Sequence, residues 1–392
     1  MDKHPTFDSP AFLLKHIDDI FNFYHPKCID PSGGFYHVYH THGYVLDKSA
    51  RHLVNSTRFV INYARMARIK DCGALLQQCQ HGIDFIEQQH KGDNRYFWQL
   101  NDGKASVQND YCYGWVFVLL AYAECIKSGM THLRPALDAT YQGLNNKFWD
   151  ESQQLYADEY DAHGQLSPYR GQNANMHAVE ALLICYEATQ ESHFLNRASA
   201  IAKRICHNLA DPKTGLVWEH YNSNWEIDWH YNEDKPNDMF RPWGFQTGHQ
   251  TEWAKLLINL NHHQPQAWLI PKAEQLFNDG MKLGWDETHG GLVYGFAPNF
   301  EYCDTDKHFW VMAESTAAAM ALYKATDNDR YLQQYQRLWL YSWSTLVDHQ
   351  YGAWHHKTHR DGMLISDVKS PLGKCDYHTL GACYEMLTLL SA

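Results

Sequence analysis

The sequence predicts an all-α protein of the (α/α)6 barrel class, six outer and six inner helices in a ring joined through short β-hairpin loops. Three observations carry that expectation. An Asp- or Gly-containing turn set among aromatic residues recurs six times along the chain. An amphipathic segment with one charged face precedes each turn, and a more apolar segment rich in small residues follows it. Repetition of this kind marks helical pairs that bury their faces against one another.

The turns are Asp30-Pro-Ser-Gly-Gly-Phe-Tyr, Phe97-Trp-Gln-Leu-Asn-Asp-Gly, Trp149-Asp-Glu-Ser-Gln-Gln-Leu-Tyr, Asp211-Pro-Lys-Thr-Gly-Leu-Val-Trp, Trp285-Asp-Glu-Thr-His-Gly-Gly and Asp348-His-Gln-Tyr-Gly-Ala-Trp. Turn residues beside short aromatic stretches are what small hairpins need. The outer segments lie near 11–24, 73–90, 131–148, 192–208, 266–283 and 328–345. The inner ones lie near 49–67, 110–127, 173–189, 247–261, 308–325 and 377–390. The inner set is apolar nearly all round, as a helix covered on both sides must be. An irregular α-domain or an open solenoid would share the alternation. A closed ring follows from the number six and from the lack of a polar capping repeat. No linker divides the chain, so one domain is expected over 1–392.

Composition narrows the function. Hydrophobic residues make up 44% and charged residues 20%, which argues against disorder. The 14 Trp, 25 Tyr and 17 Phe fill a core, and such rings also stack on sugars. A net charge of −12 repels phosphate surfaces, so neither nucleic acid nor an anionic membrane is an expected partner. Met1 to Pro10 lacks a signal-peptide core, and the apolar run Trp115 to Ala123 is too short to span a bilayer. Ten cysteines without C-x-x-C spacing, among them Cys125, Cys185, Cys206 and Cys383 in helical patterns, suit reduced thiols in the cytoplasm. A homo-oligomer is left open.

Six parallel inner helices bring their N-terminal ends to one mouth. The residues there are Arg51, Arg58, Asp110, Tyr111, Asn173, His177, His249, Glu252, Lys307, Trp310, Glu314, Asp376 and His378, with Arg241 and Trp243 in the loop before the fourth inner helix. Any one of them can be satisfied internally. Three histidines at three equivalent ends point instead to a pocket with proton chemistry. His249 and Glu252 are i, i+3, as are His177 and Glu180, while Asn173 and His177 are i, i+4. A carboxylate beside a histidine raises its pKa and fixes its tautomer, which suits a base near neutral pH.

Other chemistries remain open on residue type alone. Asp110, Glu180, Glu252 and Glu314 offer a glycoside hydrolase its two carboxylates. His37-Val-Tyr-His40-Thr-His42 offers alternating nitrogens to a metal, although a solvated hairpin accounts for it equally and no carboxylate stands at ligand spacing. A binding scaffold would need no acid–base pair. Arg51, Arg95 and Lys374 are candidate anion contacts.

The runs Arg51-His-Leu-Val-Asn-Ser-Thr-Arg58-Phe, Asn173-Ala-Asn-Met-His177-Ala-Val-Glu-Ala, Gly248-His249-Gln-Thr-Glu252-Trp-Ala, Lys307-His-Phe-Trp310-Val-Met-Ala-Glu314 and Asp376-Tyr-His378 resemble the N-acylglucosamine 2-epimerase superfamily. The resemblance covers five of the six inner helices. It implies the (α/α)6 barrel, a monosaccharide substrate, and chemistry with no metal and no cofactor. By the same resemblance His378 matches the base that moves the C2 proton, and His249 the second acid/base, helped by Glu252. Arg58, Tyr111, Asn173, His177, Arg241, Trp310 and Glu314 match sugar-binding or enediolate-stabilising positions. Thr57-Arg58-Phe and Asp376-Tyr-His378-Thr-Leu-Gly-Ala resemble most the aldose–ketose isomerases of the superfamily that act on mannose, and D-lyxose is a related candidate. Its 2-epimerases are the alternative.

Overall fold

The computed structural model describes residues 4–391. Twelve α-helices alternate in role. The inner helices are α2 (Leu53–Lys70), α4 (Cys112–Lys127), α6 (Gln172–Thr189), α8 (Thr247–His263), α10 (Phe309–Thr326) and α12 (Tyr377–Ser391). The outer helices are α1 (Pro10–Tyr24), α3 (Gly73–Phe85), α5 (Arg134–Phe148), α7 (Ser192–Lys203), α9 (Leu269–Gly284) and α11 (Asp329–Thr345). A π-helical turn extends α3 through Ile86–His90 and α7 through Arg204–Asn208.

The inner helices pack in sequence, α2 on α4 and onward to α12, and α12 returns to α2. The ring therefore closes. Each later outer helix backs the inner helix before it, whereas α1 backs α12, so the start of the chain lies against its last helix. The inner helices are buried on nearly every face, including their polar residues Asn55, Arg58, Arg65, Glu124, Glu180, Glu252, Lys255 and Glu314. The outer helices bury one stripe each, as their amphipathic pattern requires.

Two hairpins separate each outer helix from the inner helix that follows. The first is closed by an aspartate that accepts from the backbone N–H two residues on: Asp30 from Ser32, Asp150 from Ser152, Asp211 from Lys213, Asp286 from Thr288 and Asp348 from Gln350. In the second unit the corresponding turn is the pair Lys91–Gly92 with Arg95–Tyr96. Phe97–Gly103 belongs instead to the second hairpin, where Gln99–Asn101 pairs with Lys104–Val107 across Asp102 and Gly103, both at positive φ. The second hairpins pair with the residues just before the inner helices, for instance Ala50–His52 with Gln99–Asn101. Strand pairing thus delays the first inner helix to Leu53, where the periodicity placed it near 49.

Two glycines permit close approaches that shape the interior. A Cβ on Gly248 would fall 2.4 Å from the Trp310 ring, and one on Gly381 would fall 2.4 Å from Arg65 Nη1. No helix among the described residues is long and apolar enough to cross a membrane, and all ten cysteines are free.

The α1–α11 seam is aromatic. Trp339, 1% exposed, stacks on Phe7 at 5.4 Å and meets Phe12, His16 and Trp354 edge-on. Trp339→Ala is expected to lower the unfolding free energy by about 3–5 kcal/mol. Urea unfolding measures this; a loss below about 1 kcal/mol would show that α1 is not docked through this residue.

Candidate active site

A cavity of about 520 Å³ opens where the inner helices begin. Arg58, Tyr111, Asn173, His177, Arg241, His249, Glu252, Trp310 and His378 all line it. Glu314 lies one layer deeper, behind His378. Helical periodicity sorts the interior by depth. Arg58, His177, His249 and His378 stand near the mouth, and Glu180, Glu252, Arg65, Lys255 and Glu385 follow on the same helices one or two turns further in.

His378 is held on both nitrogens. Nδ1 lies 2.7 Å from Glu314 Oε1. Nε2 lies 3.3 Å from Arg58 Nη2 and faces the cavity. An ionised carboxylate at Nδ1 takes its N–H, so Nε2 carries the lone pair, which is the form of a general base. Burial, and after it the Arg58 charge, drives the His378 pKa well below the usual imidazole range. The nearby Glu180 acts in the opposite sense and is outweighed. Arg58 is fixed by the Gly373 carbonyl at 2.7 Å and the Tyr113 hydroxyl at 3.1 Å, with its guanidinium over the Phe117 and Tyr377 rings.

His249 has a different partner from the one its spacing predicts. Its Nδ1 lies 2.9 Å from both oxygens of Glu219 and makes no hydrogen bond with Glu252. Glu219 immediately precedes the short strand His220–Tyr221 in the segment between α7 and α8, outside the helix on which i, i+3 counting operates. The Gln172 amide also donates to Glu219, at 3.0 Å, and accepts from Trp253. Trp310 lies between the two histidines, 5.0 Å from the His249 ring and 5.8 Å from that of His378.

Glu252 has no basic partner. Burial first, and then the nearby Glu314, push its pKa well above the usual carboxylate range, and Oε2 makes no hydrogen bond. These surroundings favour the protonated carboxyl, the form able to donate a hydrogen bond. His177 pairs with Glu180 at 2.9 Å, as their i, i+3 spacing predicts. Burial lowers the pKa of His177. For Glu180 burial acts in the opposite sense but is outweighed by the hydrogen bond with His177, so its pKa is lowered. Tyr377 closes the other side of Glu180. Asn173 Oδ1, Glu252 Oε2, His52 Nε2 and His308 Nε2 are buried without a protein partner, and all four residues line the cavity. Buried polar atoms of that kind call for a polar ligand.

Of the other candidates, Lys374 lines the cavity, tied to Asp376 and the Trp354 carbonyl, and the rest stand outside it. Arg51 pairs with Asp30 at 2.6 Å, and Lys307 with Asp286 at 3.2 Å. Asp110 accepts from Trp115 and pairs with Lys147. Asp376 holds Tyr24 and Lys374, Trp243 donates to the Trp229 carbonyl, and Arg95 is only loosely bonded to Gln108. Strand alternation at the mouth explains the split, since Asp110 points out where Tyr111 points in. Of the four carboxylates considered for hydrolysis, only Glu252 reaches the cavity. His40 and His42 sit on the first mouth hairpin, while His37 is buried and accepts from the His52 N–H. Arg241 joins the cavity through Glu159 at 3.1 Å and the Tyr169 face at 4.0 Å.

Two triplets, His177–Glu180–Glu252 and Glu252–Glu314–His378, have donor atoms within 4.8 Å of one another. A cation there would compete with hydrogen bonds already made by His177, Glu180, Glu314 and His378. In a third, Asp304–Asp306–His308, Asp306 is already paired with Lys357 at 3.2 Å.

The sequence profile of the N-acylglucosamine 2-epimerase (GlcNAc 2-epimerase) family matches residues 34–382. The chain belongs to that family. It is 45% identical to the D-mannose isomerase of Marinomonas mediterranea over 391 residues, 99% of each chain. It is 31% identical to the D-mannose isomerase of Thermobifida fusca over 313 residues, 76% of this chain and 75% of that one. A crystal structure of D-mannose isomerase superposes with a TM-score of 0.97 at 45% identity, covering 98% of this chain and 100% of the other. This family member is an isomerase.

Two outcomes test the geometry. His378→Asn is expected to lower turnover by about 10²–10⁴-fold, the contribution of a general base, while sugar binding stays within about tenfold. Retained turnover would remove His378 from the role. In a cycle of His249→Asn and Glu219→Gln, the double variant should lose no more than the worse single variant, within about threefold. Losses that multiply would show the two residues to be independent.

Proposed function

We propose that the protein interconverts D-mannose and D-fructose by proton transfer through a cis-enediol, with D-lyxose and D-xylulose as a second pair, and that residues 1–392 act as one catalytic domain without metal or cofactor. The observation that carries this reading is His378 Nε2, 3.3 Å from Arg58 Nη2, at the wall of a sugar-sized cavity, with Nδ1 engaged by Glu314. The D-mannose isomerase relatives, which match this chain over nearly its full length, support the reading.

With the sugar open, Nε2 takes the proton from C2. The electron pair moves into a C1–C2 double bond, and Arg58 stabilises negative charge on the oxygen. The same imidazole, now protonated, returns the proton to C1 on the same face. His249, oriented by Glu219, moves hydroxyl protons and assists ring opening, and the neutral Glu252 donates a hydrogen bond to the substrate. Proton transfer by one base accounts for about 10²–10⁴ in rate, so Arg58 and the fixed geometry must supply much of the remainder. An isomerase needs one base on one face, whereas an epimerase needs a second base behind C2. A cytoplasmic location belongs to the same proposal and is supported by the ten free thiols.

D-Mannose deuterated at C2 decides between them. Fructose should be the main early product, with part of the label at C1 and solvent hydrogen in the rest. Glucose as the main early product, carrying solvent hydrogen at C2, would replace the isomerase with an epimerase.

A further inference from the structure

Beneath the histidines lies a buried ammonium group that none of these steps uses. Lys255 stands on α8, one turn below Glu252 and two below His249, so the three follow one helix face. Its Nζ lies 2.5 Å from Glu314 Oε2 and 3.2 Å from Glu385 Oε1, with its side chain 4% exposed. The other oxygen of Glu314 holds His378 Nδ1. Ammonium, carboxylate and imidazole thus form an unbroken series that ends at Nε2 in the cavity.

We propose that Lys255 is a positioning residue that keeps Glu314 ionised and so holds His378 in the tautomer whose Nε2 is free. The proposal rests on the reading of His378 as the isomerase base. Glu314, on α10, is faced by Glu252 and Lys255 from α8 and by Glu385 and His378 from α12. Glu180 and His177 on α6, with Arg58 and Arg65 on α2, complete the charged surroundings. Lys255 is the cation that contacts Glu314. Without it, Glu314 would share a dry interior with Glu252 and Glu385 and would take up a proton. A protonated Glu314 donates to Nδ1 instead of accepting from it. The imidazole proton then sits on Nε2, and that nitrogen cannot remove hydrogen from C2.

The active pair, ionised Glu314 with neutral His378, exists above the acid limb of the kcat profile. Removing Lys255 raises the proton affinity of both partners, so the limb must move to higher pH, by about 1–3 units. Lys255→Met is expected to lower kcat at neutral pH by about 10²-fold, within the range of a lost general base, with KM for D-mannose unchanged within about threefold. Lys255→Arg retains the charge and should recover most of kcat and the original limb. Lys255→Met combined with Glu385→Gln removes the surplus carboxylate together with the ammonium; it covers the case in which the single variant does not fold, and should show a loss and a shift in the same direction, smaller because one repelling carboxylate is gone. Nitrogen-15 shifts of the His378 ring, free of any assumption about substrate, should report Nδ1–H in the wild type and Nε2–H in Lys255→Met. Wild-type kcat and limb in a folded variant without Lys255, or an unshifted limb with kcat and KM changed together, would overturn the proposal. A wild type inactive on mannose but with these ring shifts would remove the isomerase reading and leave the role of Lys255 standing.

Discussion

Charge balance inside a closed ring of helices is the constraint on which the site depends. Below the mouth, Glu124, Glu180, Glu252, Glu314 and Glu385 share the interior with Arg58, Arg65, Arg68 and Lys255. Breaking one buried ion pair typically costs about 3–5 kcal/mol, because the partner left behind is neither hydrated nor neutralised. Glu124 is paired with Arg65 and Arg68, and Glu314 and Glu385 share Lys255, whereas Glu180 is held by His177 and Tyr377 and Glu252 has no basic partner. Burial, and after it the nearby Glu314, raises the Glu252 pKa and so favours its neutral form beside the imidazoles.

The aromatic lining acts through the same constraint. Phe117 and Tyr377 lie under the Arg58 guanidinium, and Phe309 lies under the Lys374 ammonium. Ring faces hold these cations in place without adding further hydrogen-bond acceptors. Arg58 keeps its position beside Nε2 because its other contacts come from a carbonyl and a phenol rather than from a mobile carboxylate. Desolvation then keeps the neighbouring histidines neutral and ready to accept protons.

What could be read from the sequence follows from helical periodicity. The alternation of charged-faced and apolar segments contains the ring, and positions at the inner N-termini contain most of the cavity. Periodicity also placed His177 on Glu180. It failed where contacts cross between elements. Glu219 reaches His249 from the residue just before a two-residue strand, and no spacing within α8 reports that. The reading of Phe97–Gly103 as a punctuating turn failed because two consecutive hairpins share the same turn chemistry. Arg51, Asp110, Lys307 and Asp376 were drawn to the mouth by position alone, whereas alternation along the strands and at the helix start turned them toward structural partners. Lys255 was within reach of the sequence, one more turn down the stripe that begins at His249.

The packing of α1 against α12 has a consequence for the order of assembly. The base candidate enters with the last helix of the ring, and that helix is seated on the first. A growing chain on the ribosome can stack its early helical pairs, since each contacts mainly its neighbours. It cannot complete the cavity until α12 has emerged and met α1 and α2 together. A nascent or truncated chain that stops before α12 therefore exposes the buried acids and arginines to water and has no means of handling sugar, so activity appears in one step with closure.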